Sequence, residues 1–194
     1  MDSRLLFLLL ILAVAGERLY ELVLSLRNGR RAQAQGGVES GQGHYPWLVS
    51  VHTLLLIAAP LEVWLLDRRF QPALGGPMFA VVLGTMALRY WAIAALGERW
   101  NTRVIVMPGV PAVATGPYRF LRHPNYVAVT LEVAALPLVH TAWITALMFS
   151  ALNAVLLRVR IVTEERALAA HSSYQETLGD RPRFLPSLPG GPRS

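Results

Sequence analysis

Cysteine is absent from all 194 residues. That excludes disulfides, thiolate nucleophiles and cysteine-ligated metal. Lysine is absent too, so all 18 basic residues are arginine. Charge of either sign is scarce, at 15% of residues, against about 25% in soluble domains. What fills the space is apolar: 54% of residues are hydrophobic and the mean hydropathy is +0.41. This balance describes an integral membrane protein rather than a soluble domain. The net charge of +6 fits arginine-rich loops on the cytoplasmic side of a bilayer. No basic face interleaved with aromatics is long enough for a nucleic acid, so no nucleic-acid partner is expected.

About 20 apolar residues are needed to cross the hydrocarbon core, and five candidate passages follow. Leu5–Leu26 is the first. It is longer than a cleaved signal segment and lacks a small-residue cleavage site, so it is expected to stay as a span. Glu17, Arg18 and Glu21 lie in its second half. Arg18 is within reach of both acids, and such groups face protein rather than lipid. Residues 27–44, rich in Arg, Gly and Gln, read as an exposed loop. Tyr45–Leu66 and Leu74–Leu96 are the next two spans, the first opened by an interfacial Tyr45-Pro46-Trp47 group. Tyr126–Leu138 is too short to cross alone, and Ala142–Val159 returns beside it as the second arm of a helical hairpin. Between the third span and that hairpin, Thr102–Met107 has the β-branched content of a strand. Pro108-Gly109 is a turn signal, and residues 110–115 are expected to return as the partner strand. The fold class is therefore all-α and membrane-embedded, with about five transmembrane helices and a small connecting β-hairpin.

The loops at 27–44 and 97–125 and the segment from Arg158 onward hold thirteen arginines, against Arg4, Arg68 and Arg69 on the other side. The positive-inside rule puts the N-terminus outside and the C-terminus in the cytoplasm. Two polar groups then meet on the cytoplasmic side. One is the stiffened turn Gly116–Tyr126, in which Pro117 and Pro124 restrict the backbone and His123 is pushed out of helical geometry. The other is Arg160 with Glu164 and Glu165, since the start of one hairpin arm lies beside the end of the other. By spacing alone, Arg160 and Glu164 also suit an exposed i,i+4 ion pair of about 0.3–0.5 kcal/mol, and Glu165 one with Arg158. The acids and the single histidine make a poor metal set, and no metal is expected.

In order along the chain stand Leu96-Gly97-Glu98-Arg99-Trp100, Pro108-Gly109, Gly116-Pro117-Tyr118-Arg119, Arg122-His123-Pro124-Asn125-Tyr126 and Arg160 to Glu165. Together these resemble the isoprenylcysteine carboxyl methyltransferase family, to which the phospholipid methyltransferases are related. The resemblance covers roughly residues 75–186, a methyltransferase core between an N-terminal two-helix segment (1–74) and an irregular tail (187–194). It implies S-adenosylmethionine as cofactor in a cytoplasmic pocket. The implied cofactor contacts are Val110, Pro111, Ala112, Val113, Tyr118, His123, Pro124, Asn125, Tyr126 and Glu164. Arg160 falls where the family places a residue facing the methyl acceptor. One departure is Ala128, where many members carry Gly two residues after the motif tyrosine.

The residue types suit that chemistry. An acid can hold the donor's amino group, and polar and aromatic groups can orient its adenosine. In-line methyl transfer draws its rate from positioning. Arg160 can align a carboxylate acceptor by a bidentate contact, whereas a hydroxyl acceptor needs a base, for which Glu165 and Glu132 are candidates. Glu132 points into the membrane portion, where a lipophilic acceptor enters. Alkylated phenols or pyrones, fatty or isoprenoid carboxylates and phospholipid amines all suit this reading. Two rivals stand beside it: an NADPH-dependent sterol-type reductase, which shares the Arg-His-Pro-x-Tyr turn, and a non-enzymatic membrane scaffold.

Overall fold

Among the described residues, three helices are long and apolar enough to cross a membrane, within Gln42–Leu65, Pro72–Arg99 and Trp143–His171. They belong to a mostly helical chain whose computed structural model describes residues 2–184; the expected tail at 187–194 lies outside them. The elements are α1 (Ser3–Ala34), β1 (Val38–Ser40), α2 (Tyr45–Leu65), α3 (Pro72–Leu96), β2 (Val104–Val106), α4 (Pro124–Leu138), α5 (Trp143–His171) and α6 (Tyr174–Leu178).

The helices bury one face and leave the other apolar and exposed. Phe7, Ile11 and Val14 of α1 meet Ala59 and Val63 of α2, Val82 of α3 and Leu136 of α4 in one core. Leu9, Leu12, Leu54, Ile57, Leu147 and Val155 point outward, as side chains facing lipid do. The N-terminus of α5 has no capping side chain of its own. Glu62 of α2 supplies one: its carboxylate accepts from the Ile144 and Thr145 amides at 3.2 and 2.7 Å and from the Thr145 hydroxyl at 2.7 Å. An anion at a helix N-terminus satisfies orphan amides and complements the macrodipole.

α1 carries too much charge to count among the three apolar spans, and its charges are paired inward. Arg18 contacts Glu21 at 2.7 Å, Glu17 at 3.3 Å and both oxygens of Glu132 at 3.0 Å. Arg89 of α3 reaches Glu132 at 2.6 Å and Glu21 at 3.6 Å. Five charged side chains thus tie α1, α3 and α4 together in the interior.

Two expectations are corrected. Residues 27–34 are helix rather than loop. Arg, Ala and Gln are good helix formers, and Gly29 lets α1 approach Asn101 so closely that a Cβ would meet Asn101 Nδ2 at 3.0 Å. Asn28 then donates to the Trp100 carbonyl at 2.8 Å. Residues 110–115 form no strand. β2 instead pairs antiparallel with β1, Val38 opposite Val106 and Ser40 opposite Val104. Pro111 has no amide to offer a ladder, and its carbonyl accepts from Arg99 at 2.7 Å. The segment 107–115 is left as a loop.

Candidate active site

Gly116 fixes where the polar turn begins. Its φ is +57°, and a Cβ there would meet Ala95 Cβ at 2.7 Å, so the turn leans directly on α3. The chain then makes one 3-10 turn, Gly116–Arg119, before α4. His123 stands at the N-cap of α4 with φ −128° and ψ 57°, and Pro124 occupies the first turn, where a missing amide costs nothing. This geometry holds His123, Asn125 and Tyr126 at the N-terminal end of α4.

A four-residue turn joins α4 to α5, and the late part of α5 comes back to the start of α4. Tyr126 packs with Leu157 and Ile161. Arg160 Nε donates to the Tyr126 hydroxyl at 2.8 Å, and that hydroxyl donates to Glu164. Arg160 and Glu164 are therefore not an exposed ion pair: a buried phenol stands between them, and Arg160 is only 6% exposed. Its guanidinium also lies over the Tyr126 ring, 5.7 Å from the centroid.

These groups line a cavity of about 430 Å³, within the range that holds drug-sized ligands. Val110, Pro111, Ala112, Val113, Tyr118, His123, Asn125, Tyr126, Arg160 and Glu164 all line it. Pro124 is fully buried and does not. Burial pushes the Tyr118 phenol above its ordinary range, with Glu164 adding to the effect. Burial likewise pushes Tyr174 up to about 12, helped by Glu165. Both phenols on the wall are thus protonated hydrogen-bond donors. Asn125 Oδ1 and Arg160 Nη1 are buried without a partner, and such atoms are costly to leave unsatisfied unless a ligand meets them.

Glu165 and Glu132 do not line the cavity. Glu165 accepts from His123 Nε2 at 3.0 Å and from Arg183 at 2.9 and 2.6 Å, with Arg122 at 3.8 Å; Arg158 is not among its partners. Glu132 lies in the charge cluster with Arg18 and Arg89. Ala128 is fully buried, and its methyl leaves the cavity intact.

A model of the isoprenylcysteine carboxyl methyltransferase family matches residues 78–170. The chain belongs to this family. The match begins near the start of α3 and ends within the last turn of α5, so it contains both halves of the Tyr126–Arg160–Glu164 arrangement. The likeness to other proteins reaches further. The Bacillus subtilis uncharacterized protein YpbQ is 40% identical over 169 residues, 86% of this chain and 98% of that protein. An uncharacterized protein of Haemophilus influenzae is 26% identical over 155 residues, 78% of this chain and 88% of its own length.

In this family member several cavity residues come from places that carry no motif. Asn28, Arg31 and Gln35 reach it from the end of α1, which was read as loop. Tyr174 and Leu178 reach it from α6. Beyond α6, residues 179–184 lie across the polar turn as a strap. Arg122 donates to the Gly179 and Arg181 carbonyls at 2.5 Å. The Arg122 and His123 amides donate to Pro182 and Arg183 at 3.0 and 3.3 Å, and Arg181 donates to the Tyr118 carbonyl. The signal available beforehand was only the two arginines flanking Pro182.

Proposed function

We propose that the protein is an integral membrane methyltransferase that uses S-adenosylmethionine to methylate an oxygen of a lipophilic acceptor. The observation that carries this is the convergence of Glu164 and the unpartnered Asn125 Oδ1 and Arg160 Nη1 on one cavity. The donor set fits a ligand bearing an ammonium, a carboxylate and an adenosine. When bound, the donor supplies an electrophilic methyl group on a sulfonium.

The chain's own residues do the rest by positioning. Glu164, oriented by the Tyr126 hydroxyl, holds a cationic amino group. Asn125 Oδ1 accepts from an exocyclic amine or sugar hydroxyl, and the protonated Tyr118 phenol donates. Residues 110–113, which line the cavity, support an adenine face. Arg160 presents Nη1 to the acceptor oxygen, with its other edge fixed on Tyr126. Glu165 acts as a positioning residue that holds His123 and the strap, and Glu132 as part of the interior charge cluster. The working core spans residues 75–186, behind an N-terminal two-helix segment. The site faces the cytoplasm and the N-terminus lies outside, a reading supported by the arginine distribution. α4, at 15 residues or about 22 Å, and α5 form a hairpin whose first arm is shorter than the bilayer core.

A thermal-shift comparison of purified protein with S-adenosylmethionine and with NADPH tests the reading, because only the ligand that binds the native state stabilises it by mass action. Stabilisation by the sulfonium donor alone is expected. Stabilisation by NADPH alone would favour a reductase, and a response to neither would favour a scaffold.

A further inference from the structure

α1 is longer than a bilayer requires. Its 32 residues extend about 48 Å, against a hydrocarbon core of about 30 Å. A helix entering at Ser3 therefore leaves the hydrocarbon near Leu22, and its last three turns reach headgroup level. Phe7, Ile11 and Val14 face the core. On the opposite side Leu5, Leu12, Leu19 and Leu26 recur every seven residues and are all exposed, with Leu9 and Val23 beside them. Steps of seven keep to nearly one face of a helix, so this is a continuous apolar stripe.

Toward the C-terminus of α1 the same face turns from apolar to basic. Val23, Leu26, Arg27, Arg30 and Arg31 are spaced i, i+3, i+4, i+7 and i+8, and they line an open groove of about 470 Å³. Arg27 and Arg30 are exposed. Glu98 is engaged by Arg31 and Glu39 by Arg103, and among the described residues no acid lies within ion-pair distance of Arg27 or Arg30. Arg31 lines both this groove and the cavity, so the groove borders the cavity's α1 edge without being part of it.

We propose that this groove binds an anionic phospholipid of the surrounding membrane, with an acyl chain along the leucine stripe and the headgroup phosphate on Arg27 and Arg30. A guanidinium pairs with a phosphate through two parallel hydrogen bonds. The apolar part of the groove lies on the bilayer side of the basic part, which is the order in which a phospholipid presents chain and phosphate. Two guanidinium groups without acidic partners favour a lipid of net negative charge over a zwitterionic one. The rival occupant of a leucine face is a second copy of the chain. A parallel two-fold packing would bring the same patch of both copies together and set Arg27 and Arg30 against like charges.

The test is native mass spectrometry of the full chain, released from detergent micelles that contain equal amounts of phosphatidylglycerol and phosphatidylcholine. Wild type is expected to retain phosphatidylglycerol about tenfold over phosphatidylcholine, the scale of two arginines at an anionic headgroup. Arg27→Gln/Arg30→Gln should lose that preference. Arg158→Gln/Arg166→Gln removes the same charge from exposed positions on α5 and should keep it. Equal retention of the two lipids by wild type overturns the proposal. So does a preference that survives in Arg27→Gln/Arg30→Gln, or one that falls equally in the α5 variant, which would reflect general charge attraction. A dimer mass without lipid preference assigns the face to a second copy and overturns it as well. Displacement of the lipid by an equal concentration of inorganic phosphate also overturns it, since the stripe would then have no role. None of these outcomes depends on the methyltransferase reading.

Discussion

Arg160 Nε donates to the Tyr126 hydroxyl at 2.8 Å, so a buried phenol helps fasten the last helix of the family match to the first residues of α4. The same hydroxyl donates to Glu164. One oxygen thereby sets the direction of two charged groups that face the cavity.

Tyr126→Phe removes that oxygen and leaves Arg160 Nε buried without a partner. Hydrogen bonds to charged groups contribute about 1.5–3 kcal/mol. The variant should stay folded, lose stability on that scale in thermal unfolding, and bind S-adenosylmethionine about tenfold more weakly. Wild-type affinity in Tyr126→Phe would show that the phenol does not orient Glu164.

Glu165 and Arg183 form a two-point contact at 2.9 and 2.6 Å that fastens the strap. Glu165→Gln should speed tryptic cleavage after Arg183, and Glu165→Gln and Arg183→Ala should each raise KM for the donor. The double variant should do little more than either single one, because both remove the same contact. Additive effects would mean that Glu165 has a separate role, such as that of a base.

Arg89 is nearly fully buried between Glu21 and Glu132. Removing one partner from a buried ionic group typically costs about 3–5 kcal/mol, because the other charge stays buried and unpaired. Arg89→Ala should therefore unfold far below the wild-type temperature, with Arg89→Ala/Glu132→Ala partly restored. Equal melting of all three proteins would remove the cluster from the account of stability.

His140 sits in the turn between α4 and α5, 1% exposed, between the rings of Phe7 and Phe70. Burial lowers its pKa below the ordinary 6.5, and Arg4 adds to the shift. A folded pKa below the unfolded one means that the unfolded chain binds the proton more readily. The stability His140 confers is thus complete above pH 6.5 and is lost as pH falls toward the folded value. Melting temperature should drop between pH 7 and pH 5 in wild type and drop less in His140→Phe. An identical profile would assign the acid sensitivity to other groups.

The parts of this molecule written in local pattern were legible before the fold was known. Span positions follow from apolar runs, the N-cap at His123 follows from Pro124, and Arg18 finding Glu17 and Glu21 follows from helical spacing. The juxtaposition of Tyr126 with Arg160 and Glu164 needed only that α4 and α5 run antiparallel. What was not legible depends on distant partners. β2 pairs with Val38–Ser40 rather than with its neighbour in sequence, and nothing local in a three-residue strand names its partner. Glu132 looked free because Arg18 and Arg89, its partners, lie 114 and 43 residues away. The strap was hidden because much of its bonding is through the carbonyls of Gly179, Arg181, Pro182 and Arg183, which any sequence carries.

Calorimetric titration of S-adenosylmethionine into the purified protein and into Glu164→Ala and His123→Ala tests the central claim most directly. The account predicts saturable binding to wild type, weakened at least tenfold in Glu164→Ala, where the ammonium loses its carboxylate, and clearly weakened in His123→Ala. Unchanged affinity in both variants, or no binding to wild type, would contradict it.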